Sequence, residues 1–88
     1  MTWELHLAAC QSLKDKRQVL KSLKDRLHHR FNVSAAETAH QDLWQRAELT
    51  ACVVATDRRH AESVLQEADR LVEAAEGARI VDTSTSFF

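Results

Sequence analysis

Residues 12–31 read SLKDKRQVLKSLKDRLHHRF, and the spacing within this stretch decides what the rest of the chain must do. Leu13, Leu20, Leu23, Leu27 and Phe31, with Val19 at the margin, recur at three- and four-residue steps and gather on one side of an α-helix. That side has to be covered. Lys14, Arg17, Lys21, Lys24 and His28 follow the same steps roughly 100° around the helix, at about 100° per residue. One helix thus carries both a core seam and a cationic stripe. Ser12 stands three residues before Asp15, a capping-box spacing that starts the helix, and Asn32 is expected to end it in the left-handed conformation.

Working outward, residues 2–10 alternate Trp3, Leu5, Leu7 and Ala9 with Thr2, Glu4, His6 and Ala8, which predicts a strand with one buried face. Residues 32–39 are small and β-branched but alternate poorly, because Ala35 and Ala36 are adjacent and Glu37 intrudes. A bulged edge strand fits that pattern. Residues 46–56 set Ala47, Leu49, Ala51, Val53 and Ala55 against a second face that turns apolar at Cys52 and Val54, the pattern of a central strand. Between the two, residues 40–45 are too short for an ordinary helix and form a hairpin loop. Asp57 is a good N-cap for a second helix with Ala61, Val64, Leu65, Ala68, Leu71, Val72 and Ala75 on its apolar side, closed by Gly77, the only glycine. Residues 80–86 complete the pattern as a last strand.

The order is βαββαβ. Two helices of similar apolar width, each following a strand, are best buried on one face of a four-stranded antiparallel sheet. Right-handed crossovers then place the first and third strands in the middle, giving a ferredoxin-like α+β domain over residues 1–88. No apolar run approaches the roughly 20 residues of a membrane span. Leu7-Ala8-Ala9-Cys10 resembles a lipoprotein cleavage site, but Glu4 and His6 interrupt the residues before it and no Lys or Arg leads them. Two cysteines do not make a disulfide framework, and Cys10 and Cys52, both inside predicted strands, are expected to be buried free thiols; a cytoplasmic location follows.

The formal net charge of -1 hides a dipole. Residues 1–31 hold seven Lys or Arg against three acids, and residues 32–88 hold five against ten. One face is thereby suited to an anionic partner, although a solvated helix face accounts for such a run equally well.

In this topology the start of the first helix, the hairpin and the turn at Gly77 meet at one pole, bringing Ser12, Lys14, Lys16 and Arg17 towards His40, Gln41, Asp42, Trp44 and Arg46. A helix N-terminus already carries free N–H groups and partial positive charge, so cations there oppose helix stability and favour a phosphate or carboxylate. Each residue also has a structural reading. Lys16 lies towards the apolar side, where its stem lines the core and its ammonium pairs with Glu37 or Asp42. Trp44 either caps the core or offers a stacking face to a base. His40 and Asp42 form an acid–base pair or, more simply, brace the hairpin. At the opposite pole His28, His29 and Arg30 suit a helix C-terminus, whereas Arg58 and Arg59 sit at a positive helix end and call for an anion or acidic partners. The five histidines show no metal-ligand spacing, neither cysteine has a CxxC partner, and there is no Gly-rich phosphate loop, GxSxG or HExxH. No metal, cofactor or catalytic set is expected.

The segments Ser12-Leu13-Lys14-Asp15-Lys16-Arg17, Arg30-Phe31-Asn32-Val33-Ser34, His40-Gln41-Asp42-Leu43-Trp44-Gln45-Arg46-Ala47 and Asp57-Arg58-Arg59-His60 together resemble the YlxP-like family of small bacterial proteins. The resemblance implies a ferredoxin-like domain encoded beside transcription and translation factors, including a ribosome-binding factor. It implies no particular reaction.

The expectation is therefore a non-enzymatic RNA- or ribosome-associated binding domain. Lys14, Arg17, Lys21 and Lys24 would contact phosphates, with Trp44 or Arg58 and Arg59 as secondary contacts, in weak and salt-sensitive binding. The alternative is a structural or homo-oligomeric module: Ala8, Cys52 and Val54 on the open sheet face, with Phe87 and Phe88, would form an apolar patch that a second copy buries, and a homodimer fits either reading. An enzyme or phosphorylated-ligand binder built on His40 and Asp42 would need a deep pocket.

Overall fold

The computed structural model describes all residues, 1–88. The elements are β1 (Thr2–His6), α1 (Leu13–Arg30), β2 (Val33–Ala39), β3 (Arg46–Val53), α2 (Arg58–Glu73) and β4 (Arg79–Ser84). The strands form one antiparallel sheet in the order β2-β3-β1-β4, with the first and third in the middle as the crossover argument requires. This is the ferredoxin-like α+β arrangement. Trp3 and Leu5 of β1, Ala47, Leu49 and Ala51 of β3, Leu20, Leu23 and Leu27 of α1, and Ala68 and Val72 of α2 form a single buried cluster. Both helices therefore cover the same face. The core is tied to α2 by the fully buried Trp3, whose indole N–H donates to Asp69 Oδ1 at 2.8 Å.

Both helices start where their capping residues stand. Ser12 Oγ accepts from Asp15 N at 3.0 Å, while Asp15 Oδ2 accepts from Gln11 N at 3.0 Å, one residue beyond the cap itself. Asp57 Oδ1 accepts from His60 N at 2.8 Å. The ends depart from expectation. Phe31 N–H still closes on Leu27 O, the chain passes directly into β2 in extended conformation, and Asn32 is not left-handed. The left-handed non-glycine residue is instead His40, with φ 64°. α2 stops at Glu73, and a further turn intervenes before Gly77, whose φ of 84° is needed in that turn rather than at the helix end.

The strands are shorter than their apolar patterns because pairing sets their length. β1 ends at His6, since Cys10 N–H folds back onto Leu7 O at 3.1 Å and leaves Ala8 and Ala9 exposed in a tight turn. Cys10 is buried in that connection rather than in a strand. β3 ends at Val53, opposite Val33, and β4 ends at Ser84, opposite Thr2. Beyond those residues no neighbouring strand remains, and Val54 is 94% exposed.

The middle of the open sheet face is polar, while Cys52, Val54, Phe87 and Phe88 of the expected apolar patch line one concavity at the far pole and Ala8 lies apart from them in the turn after β1. Thr2, Thr50 and Thr38 are linked by hydroxyl contacts of 3.1 and 2.8 Å across three strands, and the Thr38 hydroxyl also donates to Glu48 Oε1 at 2.5 Å. Cys52 lies exposed on this face, contrary to its expected burial. That middle part can meet water without a cover.

Candidate nucleic-acid interface

The convergence at one pole is built by hydrogen bonds. Leu7 N–H donates to Gln45 O at 2.9 Å, and the Gln45 side-chain amide donates to Ala8 O and Cys10 O at 3.3 and 3.2 Å, sewing the hairpin to the connection that leads into α1. From inside, Lys16 Nζ donates to His40 O at 2.6 Å and lies 2.6 Å from Glu37 Oε2. That carboxylate oxygen is not aligned for a hydrogen bond, so the contact with Glu37 is an ion pair and the directed bond is the one to His40. Lys16 is 1% exposed: its stem lies in the core and its charge is answered by Glu37, the structural reading of this residue. On the other side of α1, Val19 packs against the turn at Gly77.

His40 Nε2 lies 3.1 Å from Glu4 Oε1, and Arg46 Nη2 lies 3.5 Å from Glu4 Oε2. Glu4 is thus the hub that holds both ends of the hairpin, and His40 is a brace partnered by Glu4 rather than by Asp42. Ser12 spends its hydroxyl on the helix cap.

The cationic stripe of α1 has a definite position. His28 Nε2 accepts from Ala35 N at 3.1 Å on edge strand β2, so this side of the helix overhangs the sheet edge. Lys14, Arg17, Lys21 and Lys24 share that side by helical spacing, within an arc of roughly 80° at about 100° per residue. Val19 points the other way. Lys14 and Arg17 are exposed, Lys24 is half-buried, and none of the three has a carboxylate within 4.0 Å. Lys21 pairs with Asp25 at 2.7 Å, both side chains being well exposed. The hydrogen bond from Lys21 holds the Asp25 carboxyl below its ordinary range, and the same bond raises the lysine.

At the opposite pole Arg58 and Arg30 are engaged. Arg58 Nε contacts Glu62 Oε1 at 3.0 Å while its guanidinium lies 4.5 Å from the centre of the Phe87 ring. Arg30 lies 5.6 Å from the Phe31 ring centre. Arg59 is exposed without an ion pair.

A concavity of about 670 Å³ opens on the sheet face at the first pole. Glu4, His6, Asp42, Leu43, Trp44 and Val81 are among its lining residues. Glu4 and His6 were legible only as the solvent face of β1. Val81 had no sequence signal, because it is the extra residue of a β-bulge, skipped between Glu4↔Asp82 and Leu5↔Ile80. Nothing here assembles a nucleophile. Burial, then the charge of Asp15, raises the Cys10 thiol against the partial opposition of Lys16, so the thiol is kept protonated. No group of three His, Cys, Asp or Glu side chains is placed to hold a metal ion, and no helix is long and apolar enough to cross a membrane.

A family described as "Protein of unknown function (DUF503)" matches residues 1–85. The chain belongs to the DUF503 family. It is similar to the "Uncharacterized protein YlxP" of Bacillus subtilis (strain 168), with 35% identity over 77 residues, spanning 88% of this chain and 84% of that protein. The YlxP-like resemblance carried by the four segments is thereby established. The DUF503 match covers every element that builds the pole, from β1 through β4.

Proposed function

We propose that this protein is a non-enzymatic RNA- or ribosome-associated binding domain. The observation that carries the reading is the trio Lys14, Arg17 and Lys24, three cations on one side of α1 without an acidic partner. Lys21 extends the row, since an exposed pair with Asp25 is weak enough to be exchanged for a phosphate. Two of the four stand at or near the helix N-terminus, where the backbone adds its own attraction for anions. Phosphates carry no sequence, so this row positions the RNA. Trp44 and Arg46 lie at the same pole on the open sheet face and supply contacts to whatever passes over the hairpin. At the far pole Arg59 supplies a secondary contact, whereas Arg58 is already occupied by Glu62 and Phe87.

Binding of a structured RNA hairpin, followed by filter retention across a salt series, tests this. Four phosphate contacts correspond to a log–log salt slope of about −3. The Lys21→Glu, Lys24→Glu double variant should bind more weakly and with a flatter slope. Unchanged binding by that variant at low salt rejects the reading.

A second reading has one observation in its favour. Leu43, Trp44 and Val81 are 45%, 52% and 61% exposed around one concavity, which suits an apolar contact between two copies. Light scattering that finds a monomer at high concentration removes it.

A further inference from the structure

Local irregularities of the backbone gather at the first pole, and one of them, at Val81, lines the concavity. Val81 bulges out of β4, Thr38 is the extra residue of a second bulge in β2, and His40 takes up a left-handed conformation between β2 and the hairpin. Bulges and left-handed non-glycine residues are features that re-aim side chains and cluster at functional sites. Here the left-handed residue is held twice, through its carbonyl by buried Lys16 and through its ring by Glu4. The hairpin that carries Asp42, Leu43 and Trp44 is therefore fixed at its base.

The lining has two kinds of surface. Trp44, Leu43 and Val81 give it an apolar wall with a half-exposed indole, which suits a planar aromatic ring. Asp42 makes no ion pair and its side chain no hydrogen bond, and Arg46, 59% exposed, is held only by the 3.5 Å contact with Glu4. A free carboxylate and a lightly held guanidinium thus border the same aromatic wall. The volume, about 670 Å³, lies within the usual range of small-ligand sites.

We infer that this concavity receives an unpaired guanine base, stacked on Trp44 and read by Asp42 and Arg46. The inference rests on the RNA reading of the same pole and names what the α1 cations would position. A carboxylate accepts best from two adjacent donors, and among the four RNA bases guanine alone offers them, at N1 and N2. Adenine and cytosine put an acceptor beside the amino group, and uracil flanks its single N–H with two carbonyls. The adjoining edge of guanine presents O6 and N7, two acceptors that an arginine fork spans. A base in a duplex cannot reach the indole, so the target is a loop, bulge or single strand.

Trp44 makes the test clean, because Trp3 is fully buried and the chain has no tyrosine. Fluorescence titration with guanosine monophosphate and with adenosine monophosphate should show quenching by the first at a concentration about tenfold lower. Asp42→Asn should abolish that preference, since an amide offers one donor and one acceptor, and Trp44→Phe should abolish the signal. Equal quenching by the two nucleotides, or none, overturns the inference. Heptauridine with and without a central guanosine separates it from the broader reading. Equal, salt-sensitive binding of both oligonucleotides would defeat the guanine site and leave the phosphate row standing. A guanine preference shown by both the mononucleotides and the oligonucleotides, with no dependence of oligonucleotide affinity on salt, would support the site and defeat the phosphate row.

Discussion

The two poles of the molecule contain similar numbers of basic residues and differ in what surrounds them. At the pole where α1 begins, Lys16 is absorbed into the fold by Glu37 and the His40 carbonyl, while Lys14 and Arg17 have no acidic neighbour. At the pole where α2 begins, Arg58 is held by Glu62 and Phe87, and His28 caps the open edge of β2. A basic cluster in the sequence therefore says little until its partners are known. Cations that cost helix stability where they stand, and that nothing in the fold neutralises, are the ones that point outward to a ligand.

The comparison breaks first at Lys16. Lys16→Ala strands the Glu37 carboxylate, leaves the His40 carbonyl with the Leu43 N–H alone, and should lower unfolding stability by about 3 kcal/mol in urea denaturation, whereas Lys14→Ala or Arg17→Ala should stay within about 0.5 kcal/mol. The Lys16→Met, Glu37→Leu double variant should recover most of the loss, because it removes both charges together. If Lys14→Ala destabilised as much as Lys16→Ala, the division into structural and outward-facing cations would be wrong.

The caps sharpen the comparison by showing what the poles share. Ser12→Ala and Asp57→Ala should each lower stability by about 1 kcal/mol, one at either pole, with thermal unfolding as the readout. Arg58 comes next. Arg58→Ala gives up an exposed ion pair and a contact with the Phe87 ring, a loss of about 0.5–1 kcal/mol, while Arg59→Ala should leave the melting temperature unchanged.

The smallest effect belongs to Lys21 and Asp25. Both are exposed, so their pair should be visible in titration and hardly in stability. The Asp25 carboxyl is held low in the folded chain, so what it contributes is present above the unfolded carboxyl pKa and is lost as pH falls through the folded one. Lys21 is held high, and its contribution is present below the unfolded lysine pKa and lost as pH rises through the folded one. Carbon-detected NMR titration should find Asp25 returning to the ordinary aspartate range in Lys21→Ala and at high salt.

Much of the architecture was legible because it depends on period and capping. The seam from Leu20 to Leu27, the alternation through Trp3 and Leu5, and the caps at Ser12 and Asp57 each follow from local spacing, and together they leave few ways to bury two helices. Termini were less legible, since a strand stops where its neighbour does: Val54 reads as strand and is exposed because nothing pairs there. At the candidate site, Lys16 and Trp44 could be placed at the pole from topology alone. The role of Glu4 as a hub, the bulge that exposes Val81 and the left-handed backbone of His40 depend on contacts between residues far apart in the chain, and no local pattern announces them.

The most direct test compares the salt dependence of RNA affinity in two charge-reversed proteins, Lys14→Glu, Arg17→Glu and Arg58→Glu, Arg59→Glu. The first should weaken binding about tenfold at low salt and flatten the slope by about 1 to 2, while the second, which loses only the secondary contact of Arg59, should weaken it by about two- to threefold. Equal losses in the two, or a loss confined to the Arg58 and Arg59 variant, would contradict the account.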